Sequence, residues 1–199
     1  MTMAASSSGS IVDRAVRAAR LDINTYEEVE ADVGATSQAL TVVAITSIAS
    51  GIGGAIGAAM HPVANRPAAP VGGFIAGILT DLIGWAVWAW VMYFVGTRFF
   101  KGQATWGEVL RTTGFAYAPG ILLILQFVPF LGGLIGLIVA IWRLVTSFIA
   151  VRQALDISNG ATVATIVVGF IGFIIVAAVV GAILALIGLG TGAMLGSPL

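Results

Sequence analysis

Tyr93-Phe-Val-Gly-Thr-Arg-Phe-Phe-Lys-Gly-Gln-Ala-Thr-Trp-Gly-Glu-Val-Leu-Arg-Thr-Thr-Gly-Phe-Ala-Tyr-Ala-Pro119 is the stretch on which the fold turns. An apolar run ends in it, a short polar elbow follows, and a second apolar run begins. The elbow carries Arg98, Lys101 and Arg111, three of the nine basic residues of the chain. Thr105 with Glu108 three positions later is a helix-start signal. The Thr hydroxyl accepts from the Glu108 N–H, and the Glu108 carboxylate accepts from the Thr105 N–H. Pro119 then lacks an N–H and predicts a kink in the helix so started.

The composition on either side names the solvent. Of 199 residues, 59% are hydrophobic and only 9% charged, and the mean hydropathy is +1.05. A soluble domain has roughly a quarter of its residues charged. Most of this chain therefore faces lipid. Its net charge is zero, which argues against a nucleic-acid partner. With no Cys and one His (His61), cysteine chemistry and multi-histidine metal sites are excluded. The first ten residues have no apolar core, so no cleavable signal peptide is expected, and the first span would serve as its own insertion signal.

A membrane-crossing helix needs about 20 mostly apolar residues. Five stretches meet or approach that length, at about Ser37–Met60, Val71–Thr97, Thr112–Val128, Leu131–Val151 and Thr162–Leu189. The expected fold is all-α, a polytopic membrane protein with five transmembrane helices and an N-terminal amphipathic helix. Pro129-Phe130 alone separates spans three and four, which predicts a tight hairpin. Residues 1–35 read as a cytoplasmic N-terminal segment, 36–190 as the five-helix domain and 191–199 as a short external tail.

Within the N-terminal segment, Ser10 to Leu21 reads as an amphipathic helix capped by Ser10 with Asp13. Ile11, Val12, Ala15, Val16 and Ala19 fall toward one side, while Arg14, Arg17 and Arg20 recur every third residue. Such a basic helix can lie on an anionic membrane surface. Thr25 and Glu28 repeat the capping spacing, so a second helix is expected to start near Tyr26. Glu27, Glu28, Glu30 and Asp32 on it read as a solvated face, or as acids for a basic partner or for the three arginines.

Positive charge favours the cytoplasmic side. With the N-terminus inside, the inner segments hold Arg14, Arg17, Arg20, Arg98, Lys101, Arg111 and Arg152, and the outer ones only Arg66. Five spans then place the C-terminus outside.

Inside the spans, Gly53 with Gly57, Gly73 with Gly77, and Gly132 with Gly136 have the spacing that lets helices pack closely in lipid, within the bundle or between copies. Asp81 lies ten residues into span two and Arg143 twelve into span four. Both sit roughly 15–18 Å below the outer boundary at 1.5 Å per residue. They read as a structural charge pair, or as a polar site for an ion, a proton or a headgroup. Thr41, Thr46, Ser47 and Ser50 mark a polar stripe on span one. Trp85, Trp88, Trp90 and Tyr93 read as an interfacial belt, as do Trp106 and Trp142. There is no His-Glu-x-x-His, no Gly-x-Ser-x-Gly and only one carboxylate inside the spans, so no enzyme, metal or cofactor is expected.

The central passage has the form Gly-x-Arg-x-x-x-Gly-x-x-Thr-x-x-Glu-x-x-Arg-x-x-Gly-Phe-Ala-x-x-Pro, carried by Gly102, Thr105, Glu108, Arg111, Gly114, Phe115, Ala116, Ala118 and Pro119. It resembles the Yip domain family, the Ypt/Rab-interacting membrane proteins and their prokaryotic relatives. Thr25-Tyr-Glu-Glu-Val, Ile141-Trp142 and Val151-Arg-Gln-Ala-Leu extend the resemblance, which covers about residues 20–185. It implies a cytoplasmic N-terminus, five helices and an external C-terminus. It also implies a trafficking-type role through small GTPases in eukaryotic members. The Asp-Leu-Tyr-Gly-Pro motif of those members is absent, which weighs against a GTPase partner, and the chain resembles a prokaryotic member of a cytoplasmic membrane.

The expected function is a non-catalytic membrane protein that organises membrane partners, lipid or copies of itself. The alternative is a small transporter or channel built on Asp81 and Arg143.

Overall fold

The computed structural model describes residues 9–60 and 70–195, with the side chains of 70–73, 76, 80, 180–181 and 183–195 outside the description. His61, Arg66 and the surroundings of Gly73 fall outside the described residues. Seven α-helices and one 3₁₀ segment follow in order: α1 (Ile11–Ala19), α2 (Ile23–Ala31), α3 (Ala35–Met60), α4 (Pro70–Phe100), α5 (Trp106–Ala116), the 3₁₀ segment (Ala118–Leu125), α6 (Leu131–Leu155) and α7 (Asn159–Leu195). There is no strand among the described residues. Five stretches are long and apolar enough to cross a membrane, namely α3, α4, α5 continued by the 3₁₀ segment, α6 and α7. The chain is an all-α integral membrane protein.

Local signals place the helix starts. Ser10 accepts from the Asp13 N–H and caps α1, and Thr105 and Glu108 form the complete capping box of α5. α2 starts three residues ahead of the expected Tyr26. Asp22 is its cap, accepting from the Asn24 N–H and from the Thr25 hydroxyl, so Thr25 supports the cap from inside the helix. α7 runs to Leu195, past the expected boundary at 190.

Span three starts at Trp106, not near Thr112, because the capping box leads straight into it. The helix breaks at Tyr117. Tyr117 N–H donates to Gly114 O and Gly120 N–H to Tyr117 O, both three residues back. Eight residues of 3₁₀ helix follow, a long run for that geometry. The Pro119 ring has no N–H to continue the α pattern. A turn through Phe130, in the left-handed region at φ 63°, then leads into α6. Gly132 is required there, since a Cβ would lie 2.0 Å from Gln126 O.

α5 is the hub, packing on α1, α2, α3, α4 and α6. The core around it is small-residue rich: Ala39, Val43, Trp85, Phe115, Ala116 and Ala150 meet from four helices. A Cβ on Gly114 would lie 2.7 Å from the Ala39 Cβ, so α3 and α5 approach as closely as backbones allow. Trp85 is buried and its Nε1–H donates to Thr113 Oγ1 at 3.3 Å. It belongs to this core and not to an interfacial belt, because α5 covers that face of α4. Trp88 packs edge-on to Phe173 of α7, and Trp90 is exposed and stacks on Phe94.

Candidate functional site

Two places gather the residues able to recognise a partner. The first is the end of the bundle on which α1 and α2 lie. Arg14 is 2% exposed. Its Nε donates to Glu28 at 2.8 Å, and its Nη1 to Asp32 at 2.8 Å and Gln38 at 3.0 Å. Arg17 donates to Asp13 at 2.9 Å and to the other Glu28 oxygen at 2.7 Å, with Asp22 at 3.6 Å. The arginine hydrogen bonds hold the Glu28 and Asp32 carboxyls below their ordinary range.

Arg14 and Arg17 are therefore turned into the acids of α2 and not laid on a membrane surface. The physical reason is desolvation: a guanidinium placed between two packed helices needs carboxylates at hand. Arg20 alone of the three is exposed and makes no ion pair among the described residues.

Arg111 works from below. It is buried, and its Nε donates to Val29 O at 3.0 Å while Nη2 donates to Glu30 O. Those carbonyls belong to the last turn of α2, where helix carbonyls lack partners and a cation is favoured by the dipole. Glu30 beside it is half-buried, and one of its oxygens has no hydrogen-bond partner. Burial, with Glu27, Asp156 and Glu108 nearby, pushes its carboxyl up to about 7. Lys101 is exposed at φ 59° in the loop after α4, and Gly102 packs on Leu155 with its N–H donating to Gly96 O.

The second place is the part of the spans that carries the two charges, Asp81 of α4 and Arg143 of α6. Asp81, Trp85, Trp88 and Met92 share one face of α4 by their spacing. Trp85 and Met92 are buried there, but Asp81 is exposed, and a Cβ on Gly77 or Gly84 would meet nothing within 4 Å. α5 covers the deeper half of that face. Past Ala116 the 3₁₀ segment instead leans onto α3, so closely that a Cβ on Gly53 would lie 2.3 Å from Leu123 O. The break in span three thus withdraws the covering element from the N-terminal half of α4.

Arg143 of α6 is half-buried, with its guanidinium carbon 3.7 Å from the centre of the Tyr117 ring. The two charges form no ion pair within 4.0 Å; all five such contacts among the described residues join α1 to itself or to α2 and its two caps, Asp22 and Asp32. The face of Tyr117, negative by its quadrupole, stands where a carboxylate was expected.

The glycine pairs divide. Gly53 and Gly57 face the 3₁₀ segment and Phe127, Gly132 serves the turn, and Gly77 and Gly136 face open space. Of the α3 stripe, Thr46 and Ser47 are buried and Thr41 is exposed, and the Ser50 carbonyl accepts from Gln126 Nε2 at 2.8 Å. Two functional contacts had no sequence signal: Trp142 Nε1–H donates to Ala19 O at 2.7 Å, and Thr146 donates to Ala116 O. Both join residues whose spacing in the chain carries no periodicity.

The Yip1 domain family model matches residues 24–194. No curated protein and no solved structure matches the chain.

Proposed function

We propose a function from one premise: this chain belongs to the Yip1 domain family. It acts as a non-catalytic membrane protein that gathers other membrane proteins, copies of itself or lipid at one end of its helical bundle. The observation behind this reading is where the charge lies. Of 18 charged residues (nine basic plus nine acidic), all but Arg66, Asp81 and Arg143 lie in α1 and α2 with the turns that flank them, in α5, or at the C-terminal ends of α4 and α6 and the turns that follow. That end offers a fixed polar platform, while the rest of the bundle faces lipid.

In this reading residues 1–35 are the cytoplasmic segment, 36–190 the membrane domain and 191–199 an external tail. The charged end faces the cytoplasm by its seven basic residues against Arg66. The membrane is the cytoplasmic membrane of a prokaryote.

Cross-linking in native membranes tests it. The chain has no cysteine, so single cysteines at the exposed Glu27 or Asp156 report one place each. A reproducible membrane-protein partner or a dimer supports the reading, and a small GTPase among the products would restore that partner. Monomer alone from every position on this end would end it.

A second reading is favoured by the two charges inside the spans. Asp81 and Arg143 make no ion pair with each other, and interrupted helices beside unpaired charges line transport pathways. Flux in proteoliposomes that survives both Asp81→Asn and Arg143→Gln unchanged would remove it.

A further inference from the structure

Beneath α1 lies an apolar groove of about 360 Å³. Ala15 and Ala19 of α1 form its roof, Ile45 of α3 and Pro119 and Leu122 of the 3₁₀ segment its walls, and Trp142 of α6 its end. The rim is open: Val12 is 67% and Val16 43% exposed, and Ile45 and Ile121 are exposed too.

Only two lining side chains carry a polar atom, and both are committed within the protein. The Thr41 hydroxyl donates to Ser37 O at 2.8 Å, and the Trp142 N–H to Ala19 O at 2.7 Å. Nothing in the walls can specify a polar ligand, and apolar cavities do not hold water. The groove sits beside α3, α6 and the 3₁₀ segment, all of them membrane-crossing elements.

Charge decides which lipid. Arg14 and Arg17 are neutralised by α2, whereas Arg20 follows Ala19 at the end of the groove's roof, exposed and without a carboxylate within 4.0 Å. A cation beside an apolar slot is complementary to an anionic headgroup on an acyl chain. We propose that this groove holds one acyl chain of an anionic phospholipid, with Arg20 at its phosphate. The inference deepens the lipid part of the proposed function. α1 is then a clamp over a bound lipid and not merely a helix resting on the bilayer.

The test uses the full chain in nanodiscs containing phosphatidylglycerol with a diazirine in the acyl chain. Labelled peptides are mapped by mass spectrometry. Labelling at Ile45, Leu122 and Val16 is expected to exceed that at the lipid-facing Val167 and Ile171 of α7 by about fivefold or more. Ala15→Phe, which fills the groove, is expected to abolish the excess. Arg20→Gln, an exposed change that leaves the fold alone, is expected to lower it about threefold and to remove the preference over the phosphatidylcholine analogue.

Groove labelling no higher than on α7, an excess indifferent to Ala15→Phe, or cross-links showing a second protein chain in the groove would each overturn the proposal. Cysteine cross-linking at Glu27 and Asp156 reads the platform separately. Its success beside a failed lipid experiment removes the lipid site and leaves the platform standing.

Discussion

The Thr146 hydroxyl donates to the Ala116 carbonyl at 2.8 Å. In an unbroken helix that carbonyl would accept from Gly120 N–H, which here turns to Tyr117 O. The break at Pro119 therefore leaves an acceptor without its partner inside a membrane-crossing element, where no water can replace it. α6 supplies the missing donor. Thr146 Oγ1 also lies 3.1 Å from Trp142 O and Arg143 O of its own helix, but it has one proton and Ala116 O is nearest.

Thr146→Val keeps the shape and removes the donor. Leaving a buried acceptor unsatisfied costs about 1–3 kcal/mol, and Thr146→Ser should recover most of it. Thermal unfolding in detergent micelles measures both. Equal stability of the Val and Ser variants would show that Ala116 O has another donor.

Gly53 and Gly136 belong to two glycine pairs of the same spacing, yet they separate sharply. Gly53→Leu must push the 3₁₀ backbone off α3 and should abolish monodisperse protein. Gly136→Ala meets open space and should change stability by less than about 1 kcal/mol. Size-exclusion profiles after solubilisation compare them. A monodisperse Gly53→Leu variant would refute the close approach.

Arg14→Gln unlatches α1 from α2. Breaking a buried pair costs about 3–5 kcal/mol, but Glu28 and Asp32 are about a third exposed, so screening lowers the expectation to about 1–2 kcal/mol. Limited trypsinolysis should then cut after Arg17 and Arg20 faster than in the parent chain. An unchanged cleavage rate would mean that the apolar contacts of Ala18 and Tyr26 hold the layer alone.

Two groups of carboxyls give opposite pH slopes. Glu30 is raised from 4.5 to about 7. Between those values the folded state holds the extra proton, so its contribution is present at low pH and lost as pH rises through 7. Glu28 and Asp32 are lowered from 4.5 and 3.8. Their contribution is present above those values and lost as pH falls through the folded ones. Glu30→Gln should raise Tm more at pH 8 than at pH 5. A shift of the same size at both would show that Glu30 ionises normally.

If water reaches the Asp81 side of α4, as the second reading requires, Gly84→Cys should react with a small charged thiosulfonate in membrane vesicles. Val95→Cys, on a covered part of the same helix, should not. Equal protection of both would show that lipid covers that side.

The sequence carried the five spans, the α5 capping box and the break at Pro119, because apolar length, capping and missing donors are local properties. It placed Asp81 and Arg143 at one depth, and the structure shows no ion pair between them. It did not show that Tyr117 would take Arg143, since a ring-face contact across two elements leaves no spacing to read. Arg14 read either as a membrane-surface charge or as a partner for the acids near α2, and the structure shows the pairing. Its helix shows an alternation, but which flank turns toward α2 is settled by the turn at Leu21, in the left-handed region at φ 66°. Arg111 stood out in the motif, yet its partners are backbone carbonyls, which any residue would supply.

Those carbonyls also set an order of assembly. The contacts of Arg14 to Glu28, Asp32 and Gln38 reach 14, 18 and 24 residues ahead, so this latch can close once the head of α3 has left the ribosome. Arg111 reaches back 82 and 81 residues to α2, and cannot act until the third span is made. During synthesis the α1–α2 pair can thus latch onto the head of α3 before α5 exists. Arg111 then adds a second tie, from the third span to the last turn of α2, and makes the pair a fixed part of the bundle.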